Sequence, residues 1–368
     1  MKITSVSSSK KSVAEAVADI KKQLEGFDAK MLVYFASVSY NHEQVAEAIF
    51  QAFVGVTTFG CSSAYEFTEG KFLEDSIVAM AFSSEAIQDV KLEIVQGIGN
   101  GASVRKALES FSKYYGEPIR DMDYMKYIGI IMFDGLRMAE ERIMDEIGDL
   151  TNITFIGGSA SDKFTFTGTY VYANGKVYSD AVLLAVLKPA TKFDIIKTQS
   201  FEVLDTVFTA SETVPEKREV GRFNGKNAFD AYVEAIGQSA EKVNQIYTDY
   251  PVGIMALNDV FVHAVMGNDG KKMSFYSSIL EGMEVNLLKA TDIVKDTKKA
   301  VEDKKVELGG ISGIIDFHCL GRTDHLQREN RTQEYVNIFL KIPTIGFSTY
   351  GEQYIGHVNQ TSTMIVFK

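Results

Sequence analysis

The feature that most narrows what this chain can fold into is an internal repeat. A continuous apolar run, Met31 to Phe35, leads through a polar loop to a helical face of Val45, Ala48, Ile49 and Phe53. A second strand-like run, Val54 to Phe59, ends in Gly60-Cys61-Ser62-Ser63, followed by a turn at Gly70-Lys71 and an apolar run from Asp75 to Phe82. The same order then returns. Tyr127 to Phe133 precedes the loop Asp134-Gly135, a helical face of Leu136, Ala139, Ile143 and Ile147, a strand ending in Ile156-Gly157-Gly158-Ser159, a hairpin turn at Asn174-Gly175-Lys176, and the run Asp180 to Leu187. Gly60 and Gly157 stand 97 positions apart, and Asp75 and Asp180 stand 105 apart. Such even spacing marks a duplicated supersecondary unit, because each unit must bury its apolar faces against its neighbours. A third copy closes the chain, with a strand over Gly313–Phe317, a polar loop over His318–Arg322, a helix near Glu329–Leu340, the motif Ile345-Gly346-Phe347-Ser348 and a last strand over Thr363–Phe367. A weaker fourth copy is expected between them. It combines a helix near Lys226–Ile236, a strand over Val252–Leu257, a hairpin at Asp269-Gly270-Lys271 and a helix near Asp292–Val301, and it lacks the apolar-Gly-x-Ser signature.

These units predict an α/β fold. Short continuous apolar strands are those buried on both faces, Asn-Gly is a strong hairpin signal, and Ser12 with Glu15 makes a capping box ahead of the inward-facing Val13, Val17, Ile20 and Leu24. The expected architecture is a set of duplicated strand–helix–strand–hairpin units forming mixed sheets flanked by helices. Two domains are expected, 1–210 and 211–368, divided in the polar run Ser211 to Arg218 that contains Pro215. The 368 residues suffice for a sizeable core at 45% hydrophobic content, with 24 Phe, 17 Tyr and no Trp supplying the aromatic mass.

The formal charge of −11, from 38 basic and 49 acidic residues without basic blocks, argues against nucleic acid and anionic membranes as partners. No apolar run reaches the ~20 residues of a membrane span, and the polar N-terminus MKITSVSSSKK has no secretory core. Two cysteines, Cys61 and Cys319, make no disulfide framework and fit a reducing cytoplasm.

The motifs resemble the FIST sensory family, with its N-terminal and C-terminal domains in tandem. Gly60 to Glu66 is similar to that family's G-C-S-T-x-G-E segment, with Tyr65 in place of a glycine. Gly157 to Asp162 is similar to G-G-x-x-G-D, with Ser161 in place of a glycine. Asn224-Gly225-Lys226-Asn227-Ala228 is similar to D-G-x-P-A without its Asp and Pro, and Leu280-Glu281-Gly282 to P-E-G. Cys319-Leu320-Gly321-Arg322 resembles C-x-G-R, Pro343 to Glu352 resembles P-x-x-G-F-x-x-x-G-E, and His357 to Thr361 resembles H-x-N-x-T. The resemblance runs from about residue 12 to 367. It implies a ligand-sensing module for small molecules such as amino acids. With no output domain in the sequence, it also implies a signalling output protein supplied in trans.

Polar loops at the ends of buried strands are where α/β proteins place ligand sites. Arg322 is the first candidate for a ligand carboxylate, because its planar fork makes two parallel hydrogen bonds. A solvated or salt-bridged arginine is the alternative. Glu352 can pair with an amino group or with a structural cation, and Tyr350 can wall a pocket or simply pack. Asn359, Thr361, His357 and Cys319 complete the C-terminal set. Ser62, Ser159 and Ser348 can donate to a ligand or satisfy nearby backbone. No cofactor, metal site or catalytic residue is expected. Metal-ligand spacings and the P-loop spacing are missing. The competing readings are a thiol-dependent enzyme using Cys319 and a non-catalytic interaction scaffold.

Overall fold

Three copies of the repeat fold as three units of one build. In a computed structural model describing residues 2–256 and 259–368, the first unit contains β1 (Ile3–Ser8), α1 (Val13–Gln23), β2 (Ala29–Ser37), α2 (His42–Ala52), β3 (Thr57–Ser63), the hairpin β4 (Glu66–Thr68) and β5 (Lys71–Leu73), and β6 (Ile77–Ser83). The second repeats it with β7 (Ile87–Gln96), α3 (Arg105–Tyr115), β8 (Ile128–Phe133), α4 (Glu140–Leu150), β9 (Phe155–Ser159), the hairpin β10 (Val171–Ala173) and β11 (Lys176–Tyr178), and β12 (Ala181–Pro189). The third opens with β13 (Phe193–Thr198) and is then interrupted. The interruption holds β14 (Phe201–Val214), β15 (Glu219–Phe223), β16 (Lys226–Asn227), α5 (Ala228–Ile236), α6 (Ala240–Val243), β17 (Val252–Ala256), β18 (Asp259–His263), β19 (Val265–Asn268), β20 (Met273–Phe275) and β21 (Glu284–Ala290). The third unit resumes with α7 (Ile293–Leu308), β22 (Gly313–Cys319), α8 (Leu320–Arg328), α9 (Thr332–Asn337), β23 (Thr344–Thr349), the hairpin β24 (Glu352–Tyr354) and β25 (His357–Val358), and β26 (Ser362–Phe367).

Local chemistry explains the first of these elements. Ser12 caps α1, its hydroxyl accepting from the Glu15 N–H at 3.3 Å, and Ala16, Val17 and Ile20 face inward. Asn174 and Gly175 both adopt positive φ, as a two-residue hairpin turn between β10 and β11 requires.

In each unit a parallel pair (β2–β3, β8–β9, β22–β23) is flanked by an antiparallel strand (β6, β12, β26), giving the expected mixed sheets. The repeated glycine sits on this parallel pair. A Cβ on Gly60 would lie 1.6 Å from the Tyr34 carbonyl oxygen, and one on Gly157 would lie 1.7 Å from that of Ile131. The signature apolar-Gly-x-Ser therefore records close strand packing.

The hairpins do not stay with their own units. The first unit's hairpin pairs with β23 of the third, the second's pairs with β3 of the first, and the third's pairs with β9 of the second. Each sheet is completed by its neighbour in a closed cycle. The inner faces share one core, in which Phe35, Phe59, Ile130, Ile156, Phe317 and Phe347 meet. The outer faces pack under α1 and α2, under α3 and α4, and under α7 to α9.

The weaker fourth copy is a misassignment. Residues 201–290 form a separate antiparallel sheet, ordered β18-β17-β21-β14-β15-β20-β19, with its own core around Phe208, Phe223, Tyr232 and Phe275. Its helix and hairpin lie near the expected positions, while the expected helix at Asp292–Val301 is α7 of the third unit. Leu257, the end of the expected strand, lies outside the described residues. The expected division at 210/211 falls inside β14, and β13 pairs along its length with β26 near the C-terminus. Among the described residues no helix is long and apolar enough to cross a membrane.

Candidate functional site

A pocket of about 210 Å³ opens where the inserted sheet meets the third unit. One wall comes from the insertion: Asn244, Gln245, Tyr247 and Thr248 after α6, Ala264 and Val265 at β19, and Tyr276. The other wall is built from strand ends of the third unit. Cys319, Leu320, Gly321 and Asp324 lie where β22 turns into α8, Thr349 and Tyr350 end β23, and Asn359 and Gln360 follow β25. Phe164 reaches in from the segment after β9.

The expected polar loop His318–Arg322 is in fact the end of β22 and the first turn of α8. Leu320 and Gly321, in that first turn, line the pocket, so the amide end of α8 lies at its wall. Of the ten residues singled out in the sequence, this arrangement brings Cys319, Tyr350 and Asn359 to the pocket. Asn359 is fully buried. Its Oδ1 accepts from the Ala264 N–H at 3.4 Å, while its Nδ2 has no partner among the described residues. Gly351 makes room for it, since a Cβ there would lie 2.3 Å from the His357 ring and 3.0 Å from Asn359 Nδ2.

The other seven are engaged elsewhere. Glu352 accepts from Thr349 Oγ1, from the Thr361 N–H at 3.0 Å and from Thr361 Oγ1 at 2.7 Å. Glu66, at the matching place in the first unit, accepts from Ser63 Oγ at 2.5 Å and from the Ser76 N–H and hydroxyl at 3.3 and 2.7 Å. The same brace recurs in the first unit, and neither Glu352 nor Thr361 lines the pocket, so both serve the frame. Ser62 Oγ accepts from the Tyr170 N–H, Ser159 donates to Glu140, and Ser348 shares a 2.7 Å hydrogen bond with Thr323. His357 bridges Gln353 and the Tyr276 carbonyl. Arg322 lies behind the pocket, 2% exposed, against a small void that shares Thr248, Gly321 and Gln360 with it.

Cys319 faces the pocket as a thiol. Burial, reinforced by Glu352, holds its pKa well above the usual thiol range, against a smaller opposing pull from the Gly321 and Gln360 N–H groups. No imidazole among the described residues hydrogen-bonds its sulfur. His318 is buried beside Phe67 and Tyr335 with both ring nitrogens unpartnered, and His325 is engaged by Asp249 and Glu329. Among the described residues, no imidazole is therefore placed against this thiol as a base.

Comparison with known proteins agrees with this architecture. The FIST N domain matches residues 30–226 and the FIST C domain matches residues 228–355. The chain belongs to the FIST family. It is also 26% identical over 317 residues to the uncharacterized protein MJ1623 of Methanocaldococcus jannaschii, a match covering 80% of this chain. The chain spans about 60% of that relative's length. FIST domains are sensory, ligand-binding modules of signal transduction. The boundary between the two FIST models falls between β16 and α5, inside the inserted sheet, so the FIST C match takes in part of the insertion as well as the resumed third unit.

Several FIST pocket residues escaped the sequence reading. Phe164 is carried by a loop that Asp162, in the segment similar to the FIST G-G-x-x-G-D motif, ties down. The Asp162 carboxylate accepts from the N–H groups of Thr165, Phe166 and Thr167, each at 2.9 Å, and from the Tyr350 hydroxyl. Burial raises the pKa of Asp162, but these donors outweigh it and leave the group below its ordinary range. Tyr350 stacks on Phe166 at 5.2 Å, and both Phe164 and Phe166 hold positive φ, a conformation that costs a bulky residue energy. The terminal Asp of that motif was the available signal. Asp324, the one charged side chain in the pocket wall among the described residues, was legible only as part of α8, one turn in from its start. Tyr247 and Tyr276 come from the insertion, which no repeat logic could place.

Proposed function

We propose that this FIST protein senses a small polar metabolite, an amino acid or similar small carboxylate, held in the seam between the inserted sheet and the three-unit frame. The observation that carries the reading is the unpaired, fully buried Nδ2 donor of Asn359 in the wall of that seam pocket. A buried donor without a partner costs roughly 1–3 kcal/mol, which a ligand acceptor would recover. The amide end of α8 favours an anionic group at the same wall. Asp324, one turn along the helix and held at 3.1 Å by Arg328, leaves a carboxylate oxygen for an ammonium, so a zwitterion can meet both charges at once. A volume of about 210 Å³ is below the ~300–1,000 Å³ of drug-sized sites and suits a small metabolite.

A ligand bridging two bodies binds best when both are docked, so binding is expected to stiffen the seam and pass the signal to an output partner in trans. Two free, buried cysteines fit a cytoplasmic setting. The test is a thermal-shift screen over amino acids and small organic acids, followed by titration of Asn359→Ala. We expect at least one saturable upward shift, and affinity at least fivefold weaker in the variant. Either a flat screen on the wild type or undiminished binding by Asn359→Ala would sink the assignment.

A further inference from the structure

Behind the pocket, Arg322 poses a separate problem. An arginine guanidinium carries its charge at every pH of interest. This one is 2% exposed. Its Nη2 donates to Thr297 Oγ1 at 2.9 Å and reaches Thr198 Oγ1 only at 3.5 Å, while Nε and Nη1 have no partner among the described residues. Removing a guanidinium from water without a contacting counter-charge is among the most unfavourable arrangements in a protein interior.

The nearby carboxyls do not fill that role. Asp316 is taken up by the hydroxyls of Tyr335 at 2.7 Å and Ser362 at 2.6 Å. Glu352 is taken up by Thr349 and Thr361. Both feel Arg322 only through space. Against the guanidinium lies a void of about 10 Å³, bounded also by Ser200, Ile293, His325 and Gln360. That is room for about one water-sized occupant. The Ser200 hydroxyl, in the same wall, is likewise buried and unpartnered among the described residues. Arg322, with two unpaired donors, and Ser200, with an unpaired hydroxyl, thus line the same one-atom space, and no carboxylate is in its lining among the described residues.

We propose that this void is a site for one small monovalent anion, of halide size, held by Nε and Nη1 of Arg322 with Ser200 Oγ. A water could accept the same hydrogen bonds but would leave the buried charge uncompensated. A carboxylate is too large for the void alone and would have to reach in past Gly321 and Gln360 from the pocket. The site shares that wall with the pocket, so its occupancy sets the packing of the wall a ligand meets.

Two measurements on the full chain test this. Thermal melting is followed at fixed ionic strength while sodium gluconate is exchanged for chloride, bromide or formate, and bromide-soaked crystals are examined for anomalous scattering. The expected result is a saturable rise in melting temperature with chloride and bromide, and a bromide peak in contact with Nε and Nη1. Arg322→Gln should abolish both. Should that variant fail to fold, Ser200→Ala keeps the guanidinium and should raise the half-saturating bromide concentration roughly tenfold, the weight of one lost hydrogen bond. A rise with formate alone, absent with chloride and bromide, would overturn the halide-size assignment. Identical melting in all salts, with ordered water and no bromide peak at Arg322, overturns the proposal.

Discussion

Replacing Glu352 and Glu66 by glutamine should remove the local loss of stability with rising pH. Each carboxyl is fully buried, and burial pushes each pKa from the ordinary 4.5 up to about 8 despite the hydroxyl and amide donors that oppose it. Both are therefore largely protonated in the native state at neutral pH, while the unfolded chain ionises them. An acid with a raised native pKa lends its full stability below the unfolded value, loses it progressively as pH rises, and reaches a plateau above the folded value. At about 1.4 kcal/mol per pH unit, the loss between pH 4.5 and 8 is on the order of 3–5 kcal/mol per carboxyl. Glutamine preserves the geometry, with Oε1 accepting from Thr361 N–H or Ser76 N–H, and has no proton to lose. The assay is urea unfolding of the wild type, Glu352→Gln, Glu66→Gln and the double variant at pH 5, 6, 7 and 8. The stability of each variant relative to wild type should climb across that series by several kcal/mol, and by about twice as much in the double variant. Asp316, His42 and His263 also have shifted pKa values, but they are present in every protein and cancel in the difference. A difference flat with pH, or one falling as pH rises, would mean that the two carboxyls are ionised in the fold, and the brace would need another explanation.

Four further outcomes follow from the same geometry. Gly157→Ala should destabilise by roughly 3 kcal/mol or more in urea titration, because its Cβ would overlap the Ile131 carbonyl. Gly148→Ala in α4, with nothing within 4 Å of its Cβ, should be neutral or stabilising by up to about 1 kcal/mol. Cys319, with its thiol pKa held up by burial, should react with iodoacetamide at pH 7.5 at least about tenfold more slowly than a free thiol, and Cys319→Ser should retain ligand binding. Arg218 joins the insertion to α4 through 2.7 Å contacts with both Glu140 and Glu141, so Arg218→Ala should cost about 3–5 kcal/mol in denaturant unfolding and weaken ligand binding by loosening the seam.

The frame was legible because its repeat is written in local chemistry. Apolar-Gly-x-Ser marks the end of a strand in a parallel pair, and Asn174-Gly175 marks a hairpin, wherever they occur. The exchange of hairpins among units was not legible, since β4 pairing with β23 joins residues nearly 280 positions apart and local pattern carries no register across that distance. The polar run His318–Arg322 read as a loop for a physical reason. Asp316 and His318 sit on the helix-facing side of β22, where Tyr335, Ser362 and Phe67 cover them, and Cys319 is an uncommon residue to start a helix. The insertion misled because its hairpin and helix imitate parts of the repeat without its parallel strand pair. Of the candidate site, the strand-end residues Cys319, Tyr350 and Asn359 were within reach of sequence reasoning. The facing wall, Tyr247, Thr248 and Tyr276, depends on how an inserted sheet docks.

Under the proposed function, ligand binds in the seam and touches both bodies. Hydrogen exchange on the full chain, with and without the best ligand from the thermal screen, reads both walls in one experiment. Protection is expected together in 244–248 and 264–276 of the insertion and in 319–324 and 359–361 of the frame. Protection confined to one of the two bodies, or appearing only at sites away from both walls, would contradict it.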